Sequence, residues 1–215
     1  MNQQFEIVSV NTGKVQPLMN HSKPANSAIV KQPTKEELFL SELNLQGDEQ
    51  ADLVFHGGVD KALCVYSFDH YPFWEKEFDI DLPLGAFGEN LTVKGLTEEQ
   101  VCIGDTFQWG EAVVQVSQPR RPCYKISARY NIPQFTLKVT NTGYTGFYLR
   151  VLKQGMVSAG EALVRLQRHD AGITIAEVNR ITLHDKLDLE GAKRLVDLEI
   201  LADSWRDSLA KRLKD

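Results

Sequence analysis

Short apolar runs separated by turn residues dominate the first two-thirds of the chain. The runs are Phe5–Val10, Ala51–Phe55, Ala62–Tyr66, Glu89–Val93, Thr106–Trp109, Val113–Val116, Thr145–Val151 and Ala162–Leu166, and mostly glycine, proline or asparagine stands between them. Many short apolar runs with glycine-rich turns are typical of a β-barrel or β-sandwich. Apolar and polar positions alternate in several runs, which favours strands with one buried face. The pattern predicts a mainly β, antiparallel domain over residues 1–168.

Helical patterns interrupt these runs at two places. Pro33–Glu37 is predicted to begin a short helix, because Thr34 and Glu37 have the spacing of a capping box. A second helix is predicted over Phe68–Phe78, where aromatic residues recur at helical spacing. Both are expected to be short insertions on the surface of the barrel.

The pattern changes to helical periodicity over residues 169–215. Thr174 and Glu177 form another capping-box pattern, and further helices are predicted over Leu189–Leu198 and Asp203–Leu213. Their apolar stripes predict a small three-helix domain that packs on the barrel.

The charges are segregated along the chain. The 215 residues have a formal net charge of -5, which argues against general binding to nucleic acid. Ala112–Gly160 nevertheless contains no Asp or Glu and seven Lys or Arg residues, and Ile7–Lys35 contains four lysines and no acid. We expect an anion site where these two acid-free segments converge.

The sequence also indicates a compartment. No apolar run approaches the roughly 18 residues of a membrane span, and the first residues do not resemble a secretory signal. Three cysteines, without a C-x-x-C pair, are typical of reduced thiols. We therefore expect a cytoplasmic protein that binds neither membranes nor nucleic acid, and the sequence is compatible with a homodimer.

Cys123 stands apart from the other two cysteines. Cys64 and Cys102 lie within apolar runs and are expected to be buried. Cys123 follows Pro122 in an acid-free segment that also supplies Arg120, Arg121 and Lys125. Positively charged neighbours favour the thiolate form of cysteine, which is both the nucleophile and the metal ligand. Cys123 is therefore the candidate catalytic and metal-binding residue.

Two chemistries remain open for Cys123 at this point. A nucleophilic cysteine needs a base, and His56, in a glycine-rich loop, is the best histidine for that role. Alternatively, a thiolate among cations suits a soft metal carried by an anionic cofactor, because arginine binds phosphate in a bidentate way. The sequence shows neither zinc-ligand spacing nor a nucleotide-binding glycine motif.

Several motifs occur in the order found in MOSC domains, the domains named after the C-terminal part of molybdenum cofactor sulfurases. They are Phe55–Ala62 (FHGGVDKA), Phe87–Leu91 (FGENL), Ile103–Asp105 (IGD), Gln118–Cys123 (QPRRPC), Gly146–Val151 (GFYLRV) and Val157–Glu161 (VSAGE). The resemblance covers roughly residues 1–166. The helical tail is similar to the three-helix appendage of the stand-alone bacterial YiiM-like subfamily.

The resemblance implies a MOSC-type β-barrel that holds a molybdopterin-type molybdenum cofactor, with Cys123 as the molybdenum ligand and catalytic residue. The residues expected at the cofactor are Lys23, His56, Asn90, Arg120, Arg121 and Lys125. Glu89 is expected to be structural, since the cofactor is anionic. The activity implied is the reduction of N-hydroxylated compounds, such as hydroxylaminopurine base analogues, to amines, which would detoxify them.

The chain also departs from some relatives in the family. It lacks the clustered cysteines of an iron–sulfur module, so electrons are expected from a separate flavoprotein-type reductase. No pyridoxal-phosphate domain is apparent, so full sulfurase activity is not expected. A non-catalytic carrier of the cofactor, and a cofactor-free cysteine enzyme using Cys123 with His56, are the alternatives.

Overall fold

Strands make up most of the first part of the chain. The computed structural model describes residues 3–20, 23–53 and 57–214. Its strands are β1 (Gln4–Phe5), β2 (Ile7–Thr12), β3 (Gln16–Asn20), β4 (Lys23–Ser27), β5 (Gln32–Thr34), β6 (Leu38–Leu40), β7 (Leu63–Ser67), β8 (Leu91–Val93), β9 (Thr106–Trp109), β10 (Ala112–Pro119), β11 (Phe147–Lys153), β12 (Gly155–Val157) and β13 (Leu163–Gln167). The mainly β class predicted from the apolar runs is confirmed.

Nine of the described strands form one curled sheet with the shape of a half-barrel. Their order is β1-β13-β9-β10-β11-β7-β8-β2-β5, while β12 pairs with β6 and β3 pairs with β4. Neighbouring strands run antiparallel except β7 and β8, which are parallel. The prediction of an entirely antiparallel sheet is therefore wrong at this pair, because the long connection from β7 to β8 crosses over through a helix and a loop.

The described part of the chain contains six α-helices in addition to the strands. They are α1 (Tyr71–Phe78), α2 (Lys125–Tyr130), α3 (Phe135–Thr142), α4 (Ile175–Asn179), α5 (Leu189–Val196) and α6 (Asp203–Arg212). A 3₁₀ turn at Phe68–His70 precedes α1, so the helical prediction for Phe68–Phe78 is confirmed. In the described ranges, none of the helices combines the length and the apolar character that crossing a membrane requires.

The predicted helix beginning at Pro33–Glu37 is wrong. Pro33 lies in β5, opposite Asn11 of β2, and the chain continues in extended form into β6. The Thr34 hydroxyl accepts a hydrogen bond from the amide of Glu36 instead of capping a helix. Leu38 and Leu40 are buried while Phe39 is exposed, and this period of two belongs to a strand.

The predicted strand over Ala51–Phe55 is also wrong for the part that the structure describes. Residues 51–53 are irregular, Leu53 is 72% exposed, and the other two positions of that run lie outside the described residues. Helices α2 and α3, which follow the Cys123 loop, were not predicted. These two helices pack against α1 through a cluster of aromatic side chains. Trp74 and Phe135 are fully buried in this cluster.

The helical tail packs directly on the sheet. Thr174 caps α4 by accepting a hydrogen bond from the amide of Glu177 at 3.1 Å, as the capping-box pattern predicts. The chain leaves α4 through a π-helical turn at Arg180–His184, and α5 and α6 follow near their predicted positions. Apolar side chains of this tail join those of the sheet in one continuous core.

Candidate functional site

The loop that carries Cys123 begins where β10 ends. A bulge near Ser117 interrupts the pairing of β10 with β11, and the Ser117 hydroxyl contacts the carbonyl oxygens of Asp60 at 2.6 Å and Tyr148 at 3.1 Å. Bulges bend a strand and redirect its end. The loop runs on to α2, and the Cys123 carbonyl accepts hydrogen bonds from the Ile126 amide and the Thr136 hydroxyl. The backbone of Cys123 is thus fixed by both helices that follow it.

An inner cavity of about 80 Å³ opens beside Cys123. Its wall includes Ser27, Ala28, Ile29 and Lys31 from the first acid-free segment and Arg120, Cys123 and Lys125 from the second. The Lys125 ammonium donates to the carbonyl oxygen of Asn26 at 3.1 Å, which ties the two segments together. The structure therefore brings the two acid-free segments to one place, as their charge predicted.

Acidic residues also line this cavity, which the charge pattern did not reveal. Asp48 is buried and accepts both hydrogen bonds of the Lys31 ammonium at 2.5 Å. Glu49 lies at the rim and pairs with Lys14, outside the cavity. Asp52 also lines the cavity and acts electrostatically on Lys61. Because Asp48 compensates Lys31, the excess of positive charge in the cavity comes from Lys61, Arg120 and Lys125, which outnumber Asp52.

Asn90 joins the floor of the cavity to two neighbouring segments. Its side-chain amide donates to Asp48 at 2.8 Å, and its side-chain oxygen accepts from the Cys64 amide at 3.0 Å. The backbone amide of Asn90 in turn donates to the backbone carbonyl of Cys64 at 2.7 Å. Asn90 lines the cavity, and its hydrogen bonds show that it holds the backbone there in place.

Glu89, next to Asn90, faces a different environment. The carboxylate is fully buried and accepts hydrogen bonds from the Tyr71 hydroxyl at 2.5 Å, the Thr92 hydroxyl at 2.9 Å and the Phe87 amide at 2.9 Å. These bonds satisfy the charge without a cofactor. They agree with the structural role expected for Glu89.

Arg120 supplies a buried cation to the inner cavity. Its backbone amide donates to the Gly146 carbonyl at 3.0 Å, and only 7% of the residue is exposed. Its Nη1 atom is buried with no hydrogen-bond partner among the described residues. A buried cationic donor without a partner is costly, and an anion in the cavity would satisfy it.

The three cysteines differ in exposure as the sequence predicted. Cys64 and Cys102 are buried, whereas Cys123 is partly exposed. Burial is the main reason that the pKa of the Cys64 thiol is raised, which keeps it protonated although it also lines the cavity. Cys123 is consequently the thiol that a ligand can reach.

An outer cavity of about 1030 Å³ continues from the inner one. The residues common to both are Ala51, Asp52, Lys61, Cys123, Lys125 and Tyr148, and the outer cavity adds others that include Arg121 and Trp205. Burial lowers the pKa of Lys61, so its charge is poorly solvated there. Burial likewise raises the pKa of Tyr148, which stays a neutral hydroxyl.

The structure assembles most of the predicted site residues. Asn90, Arg120, Cys123 and Lys125 line the inner cavity, and Arg121 lines the outer one. The backbone of Lys23 lies in β4, but its side chain is outside the described part, and so is the whole of His56. Their expected roles at the cofactor remain predictions.

Sequence reasoning missed four cavity residues: Lys31, Asp48, Lys61 and Tyr148. Signals for three of them were present, because Lys31 belongs to an acid-free segment, Lys61 to the FHGGVDKA motif and Tyr148 to the GFYLRV motif. Among the described residues, no group of three or more His, Cys, Asp or Glu side chains is arranged to hold a metal ion. The role of Cys123 as a metal ligand stays a prediction.

Comparison with known families gives two matches along the chain. Residues 52–164 match the MOSC domain, and residues 173–214 match the YiiM-like 3-alpha helix domain. The first match contains the Cys123 loop and Asn90. The second covers the tail from the segment before α4 to the end of α6.

Individual relatives agree with these matches. The uncharacterized protein YflK of Bacillus subtilis is 49% identical over 98% of this chain and 95% of its own length. The Escherichia coli protein YiiM is 43% identical over 95% of this chain and 91% of its own length. A Gibberella moniliformis protein named "Reductase" is 34% identical over 87% of this chain, which spans only 34% of that protein.

A solved structure confirms the fold. YiiM from Geobacillus stearothermophilus superimposes with a TM-score of 0.83 at 35% identity, covering 97% of this chain and 99% of that one. It shares the curled mixed sheet, the short helices and the helical tail. The chain belongs to the MOSC family, in the YiiM-like group that carries a C-terminal three-helix domain.

Proposed function

We propose that the protein is an oxidoreductase that binds a molybdenum cofactor and reduces N-hydroxylated compounds to amines. The observation that carries this proposal is the position of Cys123, a partly exposed thiol at the junction of two cavities lined by Arg120, Arg121, Lys61 and Lys125. A thiolate suits a soft metal, and the cations suit an anionic cofactor.

The residues present fit such a cofactor. The buried Nη1 of Arg120 lacks a partner among the described residues, and so does the buried Oε1 of Gln118, which borders the outer cavity. A ligand with both acceptor and donor atoms would satisfy the two groups. Arg120 and Lys125 are suited to its phosphate, and Cys123 to its metal.

The bound cofactor would supply two-electron redox chemistry at its metal. The net reaction takes two electrons and two protons: the N–O bond of R–NHOH breaks, R–NH₂ forms, and the oxygen leaves as water. Cys123 would anchor the metal through its sulfur, while the outer cavity admits the substrate. Lys61, which borders both cavities, is placed to direct a polar substrate toward the thiol.

The name of one relative supports reduction as the type of reaction. The fungal relative named "Reductase" contains a region similar to most of this chain. We propose that a separate flavoprotein delivers the electrons here.

The test compares the metal and pterin content of the wild type with that of Cys123→Ala, both purified without air from a host that makes the cofactor. We expect about one molybdenum per chain in the wild type and loss of most of it in the variant. Cys102→Ala is the matched control, because this thiol is fully buried and lies outside both cavities. It should keep the metal.

Turnover of 6-hydroxylaminopurine with a chemical reductant then separates enzyme from carrier. Amine formation by the wild type, lost in Cys123→Ala, supports the proposed reaction. Stoichiometric metal without amine formation would replace the reductase with a cofactor carrier. Activity in metal-free protein that is abolished by alkylation of Cys123 would indicate a cysteine enzyme instead.

A further inference from the structure

A third cavity lies between the helical tail and α3, next to the outer cavity described above. It is a crevice of about 470 Å³. Its polar wall includes Arg121, Thr182, Lys186, Ser208 and Arg212, and none of its lining residues, all of them described, is acidic. Three cations with hydroxyl groups between them form a surface suited to an anion.

The cations of this crevice are held by contacts that leave their charges uncompensated. The Arg212 guanidinium donates to the carbonyl oxygens of Ile181 at 2.9 Å and Asp188 at 3.0 Å. The Arg121 guanidinium lies over the Trp205 ring, 4.7 Å from its centroid. Among the described residues, no carboxylate forms an ion pair with either arginine. Both positive charges are thus fixed in position and available to a ligand.

Helix α6 supplies one side of this crevice. Trp205, Ser208 and Arg212 are three and four residues apart, so they lie on one face of α6 and span about 10 Å at 1.5 Å per residue. Ser208 and Lys186 are exposed at the mouth. The helical tail therefore supplies part of the wall of this crevice.

The crevice adjoins the outer cavity that contains Cys123. The two cavities share Arg121, Pro122 and Trp205, so a ligand lying along them would extend from the thiol to the crevice. Their volumes are those of sites for organic ligands of several hundred Å³, not for single ions. An elongated molecule with its reacting group at one end and an anion at the other fits this arrangement.

We propose that the crevice is a phosphate subsite and that the protein takes its N-hydroxylated nucleobase as a nucleoside 5′-monophosphate. This inference rests on the proposed function, which places the N-hydroxyl group near Cys123. The phosphate then lies among Arg121, Lys186 and Arg212, where the Arg121 guanidinium and the Lys186 ammonium donate to it and Arg212, already bonded to two carbonyl oxygens, adds a fixed positive charge. The nucleoside spans the outer cavity beside Trp205.

Calorimetric titration of the cofactor-loaded protein with adenosine 5′-monophosphate and with adenosine tests this subsite without turnover. These are the nucleotide and nucleoside of an amine product. Hydrogen bonds to charged groups contribute about 1.5–3 kcal/mol, so we expect the monophosphate to bind at least about tenfold more tightly. Lys186→Glu and Ser208→Glu should each remove that preference and leave adenosine binding unchanged.

Lys211→Glu provides the matched control. Lys211 is an exposed residue of α6 that does not line the crevice, so the same reversal of charge there should preserve the preference. Equal affinities for adenosine and its monophosphate in the wild type would overturn the proposal. It would also be overturned if the preference survived both crevice variants.

Two further measurements separate this proposal from its alternatives. Release of a nucleotide-extended cofactor from the wild type, and its loss in Ser208→Glu, would assign the crevice to the cofactor and overturn the substrate assignment. A crevice-dependent preference in protein that turns over no N-hydroxylated compound would support the subsite while contradicting the proposed reaction. The two proposals therefore fail through different measurements.

Discussion

Asn90 shows how a single residue shapes the floor of the inner cavity. Its side chain connects Asp48, the Cys64 amide and the carbonyl oxygen of Asn11, so β2, β7 and the segment containing Asp48 meet at one amide group. Asn90 is only 4% exposed, and water cannot replace these bonds freely. The resemblance implied that Asn90 contacts the cofactor, and its hydrogen bonds show that it also supports the cavity wall.

Replacing Asn90 by alanine should therefore destabilise the protein. The change leaves the Cys64 amide without its partner and takes one donor from Asp48, at about 1–3 kcal/mol for each unsatisfied buried group. We expect the free energy of unfolding to fall by on the order of 2–4 kcal/mol, measured by urea denaturation of the metal-free protein. Asn141→Ala, at an exposed position of α3, should change it by less than about 0.5 kcal/mol. Equal stabilities of the two variants would contradict this role.

Gly88 lines the same cavity at a position where the backbone is tightly packed. Its φ angle is +77°, and a Cβ atom there would lie 2.7 Å from Cγ1 of Ile29. Both Gly88 and Ile29 line the inner cavity. The glycine of the FGENL motif is thus required by backbone conformation and by close packing.

At the scale of elements, the start of α4 depends on one side chain. The Thr174 hydroxyl accepts from the Glu177 amide, and Thr174 also forms an isolated β-bridge with Cys102. Thr174→Ala should lower the free energy of unfolding by about 1 kcal/mol, the usual cost of losing an N-cap, while Thr174→Ser should retain most of it. Parallel urea denaturation of the two variants measures the difference. An alanine variant as stable as the serine variant would show that the bridge alone orders this segment.

The elements predicted correctly are those whose local pattern agrees with their tertiary environment. The capping box at Thr174 precedes an apolar helical stripe, and both are realised in α4. The same pattern at Thr34 does not form a cap, because Leu38 and Leu40 satisfy a strand that pairs with β12. The local sequence there is compatible with a helix or a strand, and pairing with β12 selects the strand. The sequence alone did not reveal β12 as the partner.

The site was partly predictable for a similar reason. Charge segregation identified the segments that converge on Cys123, since a run without acids is visible in the sequence. It could not identify Asp48, which lies outside both segments and reaches Lys31 only through folding. Helices α2 and α3 were missed, although they position the Cys123 carbonyl, because their stabilising contacts are aromatic packing against α1.

At the scale of the whole molecule, the sheet and the helical tail share backbone hydrogen bonds as well as a core. The Ile103 amide donates to the Ile173 carbonyl at 2.9 Å, and the Ala202 amide donates to the Ser117 carbonyl at 3.1 Å. The Arg150 guanidinium donates to the Ile200 carbonyl at 3.0 Å. The boundary near residue 168 predicted from the sequence remains a prediction, and these contacts bear on whether it separates independently folding units.

We expect the sheet and the tail to unfold together. Leu195 of α5 is fully buried in the shared core, so Leu195→Ala should lower the free energy of unfolding by about 2–5 kcal/mol. If unfolding is cooperative, the slowest-exchanging amides of β10 should lose the same amount of protection in native-state hydrogen exchange. Leu187→Ala, at a position that is 89% exposed, is the control and should leave both quantities unchanged. Undiminished protection in β10 of the Leu195→Ala variant would show that the tail unfolds on its own, and the crevice and the Trp205 side of the outer cavity would then open while the sheet stays folded.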